Sequence, residues 1–168
     1  IVGLDVGMNV FTPKLLIENA ELTKEIASYG TSWYFAARTL GTLCGVILLA
    51  KFSEIYYYRI NMFIVLIALS CIYWIHSQYI ILLLVCIIAF AMSSIFAVIY
   101  SLALHTLPYK TNEISGLMIT GISGGSIIPP LMGVCADYTE SQSGSILVML
   151  ICVIYLILCS FHKFKTIH

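Results

Sequence analysis

Six long apolar blocks, separated by short polar clusters, set the pattern of this chain. The first runs to about residue 17 and is interrupted by Asp5, Asn9 and Pro13; a connector with Glu18, Glu21, Lys24 and Glu25 follows. The second, about 32–50, holds one charge, Arg38. Lys51, Glu54, Tyr56, Tyr57, Tyr58 and Arg59 make the next polar turn. From Ile60 to Leu107 there is no formally charged residue. At 1.5 Å per residue that stretch would reach about 70 Å, more than twice a hydrocarbon core of about 30 Å, so it must fold back on itself. His76–Ser77–Gln78 is the polar cluster where it can turn, which predicts spans over about 60–75 and 79–104. A turn from His105 to Glu113, a fifth span over about 114–136, a turn from Asp137 to Ser145 and a last span over about 145–161 follow. The pattern predicts an all-α integral membrane protein with six transmembrane helices.

The fifth span is unlike the others. Gly116, Gly121, Ser123, Gly124, Gly125, Ser126, Pro129, Pro130 and Gly133 stand where leucines would be expected. Glycines let another helix approach closely, and Pro129 and Pro130 donate no backbone hydrogen bond, so a bent, close-packed helix lining a cavity is predicted. Gly121, Gly124 and Gly125, with the two prolines and with Gly41 and Gly45 of the second span, are read as packing or gating positions. A phosphate-cradling loop is the soluble reading of the same glycines. No strand precedes them and no lysine follows Gly125, so it is set aside.

Composition adds weight to the membrane reading. Of 168 residues, 61% are hydrophobic and 10% charged, where a soluble domain carries about 25% charged residues. Mean hydropathy is +1.02, which also excludes disorder. Eight basic and eight acidic residues cancel, leaving no electrostatic case for nucleic-acid binding. Cys44, Cys71, Cys86, Cys135, Cys152 and Cys159 form no CxxC pair and read as small buried hydrophobes. His76, His105, His162 and His168 fall at span ends or in the tail without ligand spacing, so neither a metal nor a cofactor is predicted. No nucleophile–base pair points to an enzyme. No cleavable signal peptide is visible, and the chain opens with Ile1–Val2 as a piece of something longer would.

Charge also orients the spans. One face of a six-span arrangement gathers Lys51, Arg59, Lys110, Lys163 and Lys165, five of the eight basic residues. The other carries Glu18, Glu21, Glu25, Asp137 and Glu140. The positive-inside rule makes the basic face cytoplasmic and puts both ends of the chain there, in the inner or plasma membrane. Tyr56, Tyr57, Tyr58, Trp33, Trp74 and Tyr79 fall near span ends, as aromatic belts do.

Polar groups inside a bilayer are expensive and point to function. Asp5, Asn9 and Thr12 are spaced i, i+4, i+7 and share one helical face. Arg38 lies about 6 residues, roughly 9 Å, into the second span. Burial favours the neutral form of a carboxyl and a nearby cation the charged form, so Asp5 is a candidate proton carrier or a partner for Arg38. Arg38 in turn is able to hold Asp5, donate to a polar solute, or snorkel outward. Ser93, Ala97, Tyr100 and Ser101, with Phe96 alongside, form a small-and-polar stripe on the fourth span, and Thr120 and Ser123 lie on the fifth. Each suits a cavity lining or tight helix packing.

Four stretches carry a family resemblance. They are Val2–Gly3–Leu4–Asp5–Val6; Ala37–Arg38–Thr39–Leu40–Gly41–Thr42; Ala89–Phe90–Ala91–Met92–Ser93–Ser94 with Tyr100–Ser101–Leu102; and the run from Gly124 to Gly133 with Asp137. In that order the chain resembles the C-terminal six-helix half of a major facilitator superfamily transporter, of the fucose permease-like group of sugar:proton symporters. The resemblance implies twelve helices in two halves, a solute bound between them and alternating access by rocking. It implies a sugar site at Asp5 and Arg38 with Phe96 at the cavity, a proton as coupling ion, and an N-terminal half holding the principal coupling acids. The segment Gly45–Arg59 resembles a degenerate copy of the superfamily's loop motif. Sugar hydroxyls suit Asp5, Asn9, Thr12 and Arg38 as partners, and an aromatic side chain covers a sugar's apolar face. A hexose or deoxyhexose importer is thus expected. Transport of another small polar solute, or a non-transporting sensor or assembly protein on the same fold, are the alternatives.

Overall fold

The computed structural model describes residues 1–20, 24–75 and 77–163, without the side chains of 19, 20, 24–28, 162 and 163. Glu21, His76, Lys165 and His168 lie outside the described residues, as do the side chains of Lys24, Glu25, His162 and Lys163. The described chain is all helical: α1 (Val2–Ala20), α2 (Lys24–Leu49), α3 (Glu54–Trp74), α4 (Gln78–Met92), α5 (Ile95–Thr106), α6 (Thr111–Ile122), α7 (Ile128–Thr139) and α8 (Ser143–Lys163). Short 3-10 turns at Pro108–Lys110 and Ser123–Ser126 flank α6.

Five segments are long and apolar enough to cross a membrane: Tyr29–Leu49, Glu54–Trp74, Gln78–Thr106, Pro108–Thr139 and Ser143–Phe161. The first helix, expected as a sixth span, is not among them; α1 carries Asp5, Lys14 and Glu18. The chain is an α-helical membrane protein with five such segments among the described residues.

Two helix boundaries lie outside the expected spans. The second helix begins at Lys24 rather than near 32, because Gly30 does not end it. Instead α1 fills the space of the missing side chain; a Cβ at Gly30 would meet Leu16 Cδ1 at 2.6 Å and Thr12 Cγ2 at 3.1 Å. Arg38 sits about 21 Å from the start of its helix, near the helix's middle. The polar turn after α2 is short, because Ser53 caps α3 and accepts a hydrogen bond from the Tyr56 amide at 3.4 Å, with Glu54 in the first turn. Tyr57 and Tyr58 are consequently helical and buried rather than part of an aromatic belt, and Tyr58 donates its hydroxyl to the Leu156 carbonyl at 3.2 Å. Trp33, Trp74 and Tyr79 remain exposed.

The fourth block, expected as one helix, breaks between Met92 and Ile95. Ser93 turns its hydroxyl back to the Phe90 carbonyl at 2.7 Å, a local bond that competes with the helical ladder. The fifth block breaks as expected, but at Ser123–Ser126 rather than at the prolines. Pro129 and Pro130 fall in the first turn of α7, where a missing N–H has no helical partner to lose. The end of α7 is fixed by Glu140 in the left-handed region at φ 51°, with the Ser141 amide bonded to the Ala136 carbonyl.

The core is built on one stripe of α1, Leu4, Met8, Phe11 and Leu15, all fully buried. Around it pack Leu69 and Ile72 of α3, Val85 and Ile88 of α4, and Met149 and Val153 of α8. The sixth helix takes almost no part, with Ile114 its one buried residue. None of the cysteines is core: Cys44 is exposed and the rest are half-buried. Apolar side chains need no burial where helices face lipid.

Candidate functional site

Asp5 in the first turn of α1 is met from across the interface by two residues of α2. Tyr34 and Arg38 are four residues apart and so lie on one helical face. Tyr34, fully buried, donates its hydroxyl to Asp5 Oδ1 at 2.5 Å, and Arg38 donates from Nη1 to Oδ2. Both carboxylate oxygens are thereby engaged, one by a neutral donor and one by a cation. The Asp5 side chain is 17% exposed and that of Arg38 35%. Chemically the cluster engages both acceptor atoms of the carboxylate while leaving guanidinium N–H groups without a partner among the described residues.

The remaining candidates are distributed around this pair. Asn9 is half-buried and its amide makes no side-chain hydrogen bond among the described residues. Thr12 does not face open space: α2 covers it at Gly30, and its hydroxyl donates to the Met8 carbonyl at 2.7 Å. Ser93 lies at the α4–α5 break against Gly41, where a Cβ would meet Ser93 Oγ and the Phe90 carbonyl, each at 2.6 Å. Gly45, one turn on, abuts Ser94 in the same way. Phe96, Thr120 and Ser123 are exposed. Tyr100 shares a 2.7 Å hydrogen bond with Ser115, tying α5 to α6.

Among the described residues nothing lies within 4 Å of a Cβ at Gly121 or Gly124, so neither mediates close packing there. The close approach to the broken helix is made from the other side. A Cβ at Gly3 of α1 would strike Ile128 and come within 2.9 Å of the Gly124 carbonyl, and one at Gly7 would meet Met132 Sδ at 2.6 Å. A Cβ at Gly125 would meet Val2 and Val6 of α1 at 3.3 and 3.4 Å. Sequence reasoning missed Gly3 and Gly7, although their four-residue spacing is a small-xxx-small signal, and it missed Tyr34.

At the basic end, Glu54 accepts from Ser101 at 2.6 Å with His105 Nδ1 at 3.8 Å, and Arg59 donates to Ser160 Oγ at 3.1 Å beneath Phe161. At the acidic end, Glu18 accepts from the Gln142 amide at 3.0 Å and from Ser141 Oγ at 2.8 Å, capping α8. Among the described residues no three His, Cys, Asp or Glu side chains gather to hold a metal. A cavity of about 710 Å3 between α2, α3 and α4 is lined by none of the nine candidate solute-binding residues.

No protein-family model matches the chain, and no solved structure matches it. It is similar to two Helicobacter pylori proteins, from different strains, each named "Putative glucose/galactose transporter". Identities are 27% and 26% over 170 aligned positions, covering 98% of this chain and 41% of each relative. The chain thus spans about two fifths of the length of the curated relatives it matches.

Proposed function

We propose that this chain is the C-terminal six-helix half of a sugar transporter, with α1 as the sixth span, taking up a hexose or deoxyhexose in symport with protons. The protein on this reading is a transporter of the major facilitator type, fucose permease-like, and not an enzyme. The observation that carries the reading is the Asp5–Tyr34–Arg38 cluster, an ion pair maintained between two helices of an apolar bundle, where charge is rarely kept without use. The sugar comes from the relatives' names, glucose and galactose.

The cluster suggests how coupling would work in this half. A proton taken up by Asp5 cancels its charge and frees Arg38, whose guanidinium then donates to a sugar hydroxyl. Loss of the proton re-forms the pair and expels the sugar. Asn9, Ser93, Phe96, Thr120 and Ser123 supply further polar and aromatic contacts, and an N-terminal half closes the cavity and rocks against this one. The basic loops put both ends on the cytoplasmic side of the inner or plasma membrane.

The test uses the full-length protein in proteoliposomes. Uptake of labelled glucose, galactose and fucose is followed with and without an inward proton gradient, for wild type and Asp5→Asn. Gradient-driven uptake of one sugar, uncoupled by the substitution, is the expected result. Uptake indifferent to the substitution makes Asp5 scaffold. No uptake from folded protein moves the reading to another solute or to a sensor.

A further inference from the structure

The two oxygens of the Asp5 carboxylate have unlike surroundings. Oδ1 is held by the Tyr34 phenol, which is fully buried, and Oδ2 by Arg38, whose side chain is 35% exposed. Among the described residues the phenol reaches two acceptors, both on Asp5: Oδ1 at 2.5 Å and the backbone carbonyl at 3.4 Å. A phenol has one proton to donate. That proton is committed to Oδ1.

No other charged side chain among the described residues bonds the carboxylate. Of the elements packed on α1, α4 and the turn Ser123–Ser126 carry no charge, and Cys86 of α4 turns to the Trp33 carbonyl. Glu113, the one charge of α6, pairs with Lys110 at 3.0 Å. Asp137 of α7 shares a small cavity with Lys14, about 13 Å further along α1. Cys152 of α8 lies by the Ile1 amino group, the other charge near Asp5.

These contacts decide where a proton can bind. Added at Oδ2, it breaks the Arg38 bond and leaves Oδ1 as a carbonyl oxygen still accepting from Tyr34. Added at Oδ1, it meets the phenol proton head-on. Either the phenol turns to the backbone carbonyl at 3.4 Å, near the limit of a hydrogen bond, or a buried donor goes unpaired. That penalty favours Oδ2 by on the order of tenfold. We infer that Tyr34 is a positioning residue that confines the Asp5 proton to Oδ2, so that the proton and Arg38 exclude one another. The inference rests on the proposed use of Asp5 as proton carrier and adds what enforces the exchange. In Tyr34→Phe, Oδ1 takes the proton while Oδ2 keeps Arg38, and a proton moves without freeing the guanidinium for sugar.

The test uses the full-length protein in proteoliposomes with labelled glucose and galactose. It reads the ratio of gradient-driven accumulation to sugar exchange, which does not depend on how much protein is folded. Tyr34→Phe is expected to lower that ratio on the order of tenfold. Replacing Tyr34 by p-aminophenylalanine, which restores an N–H donor on the same ring, is expected to recover it. A wild-type ratio from Tyr34→Phe overturns the inference, as does no recovery with the amino analogue. A second measurement stands even if Tyr34→Phe fails to fold. Infrared difference spectra of wild type across the Asp5 titration, with ring-labelled tyrosine and Asp5→Asn as the blank, tell whether the phenol donates or accepts. It is expected to donate in both states; a change to acceptor puts the proton on Oδ1 and overturns the inference. Wild type that exchanges sugar without accumulating it sinks the proton-carrier role instead, and the spectra alone then decide where the proton sits.

Discussion

Tyr34 and Asp5 are 29 positions apart in sequence and 2.5 Å apart at hydroxyl and carboxylate oxygen. The bond places a fully buried phenol at the α1–α2 interface and holds the Asp5 carboxylate in register with Arg38. Tyr34→Phe keeps the ring and removes only the donor. A lost hydrogen bond to a charged group lowers stability by about 1.5–3 kcal/mol. A lower unfolding temperature in detergent, with helicity unchanged, is the expected result; an unchanged temperature would show that Arg38 alone orders Asp5.

The ion pair itself is best tested as a cycle. Removing one partner leaves the other charge in apolar surroundings, which costs about 3–5 kcal/mol for fully buried pairs and less where, as at Arg38, a third of the side chain is exposed. Arg38→Gln and Asp5→Asn singly are expected to destabilise more than the double substitution. Additive effects on unfolding temperature would mean that the two side chains do not pair in the membrane.

Much of this architecture is legible in the sequence, and the exceptions have common causes. Uncharged blocks set the helices, because a bilayer core admits few charges, and Asp5 and Arg38 stood out for the same reason. The break at Ser93–Ser94 was hidden because a serine in an apolar block signals a break only once its bond to the Phe90 carbonyl and its packing on Gly41 and Gly45 are known. Tyr34 was hidden because a tyrosine in an apolar span looks like any other large hydrophobe until its partner is known. Glu18 read as surface charge, yet it caps α8 over 120 residues away in the chain. Periodicity reports what a helix buries and leaves unsaid which helix it meets.

Gly45 packs directly on the α4–α5 break. A Cβ there would run into Ser94 and approach the Tyr57 hydroxyl to 3.2 Å. Gly45→Ala is expected to lower stability by about 1–3 kcal/mol, the range for overpacking at a tight contact. Ser94→Gly in the same protein removes the obstructing side chain and should restore part of the loss. A double variant no more stable than Gly45→Ala alone would place the strain elsewhere.

Glu18 acts at a helix N-terminus, where a carboxylate satisfies otherwise unpaired amides and meets the positive end of the dipole. Glu18→Ala is expected to destabilise by about 1 kcal/mol, as loss of a cap does. Faster hydrogen exchange at the Gln142 amide is the local readout. Protection unchanged at that amide would mean that the turn holds itself without α1.

Gly121 separates what this chain does alone from what it does with a neighbour. No atom of the described chain lies within 4 Å of a Cβ there, and α6 buries little else. Alanine in an open helical position is favoured over glycine by about 0.5–1 kcal/mol, so Gly121→Ala should be neutral or stabilising. Gly121 is exposed, so harm from Gly121→Leu that Gly121→Ala does not share points to a neighbour seated on α6. If the proposed N-terminal half packs on α6, Gly121→Leu lowers both uptake and unfolding temperature while Gly121→Ala lowers neither. Wild-type uptake from the leucine variant would leave α6 facing lipid or the open cavity, and the second half would have to close the site against α1 and α2 instead.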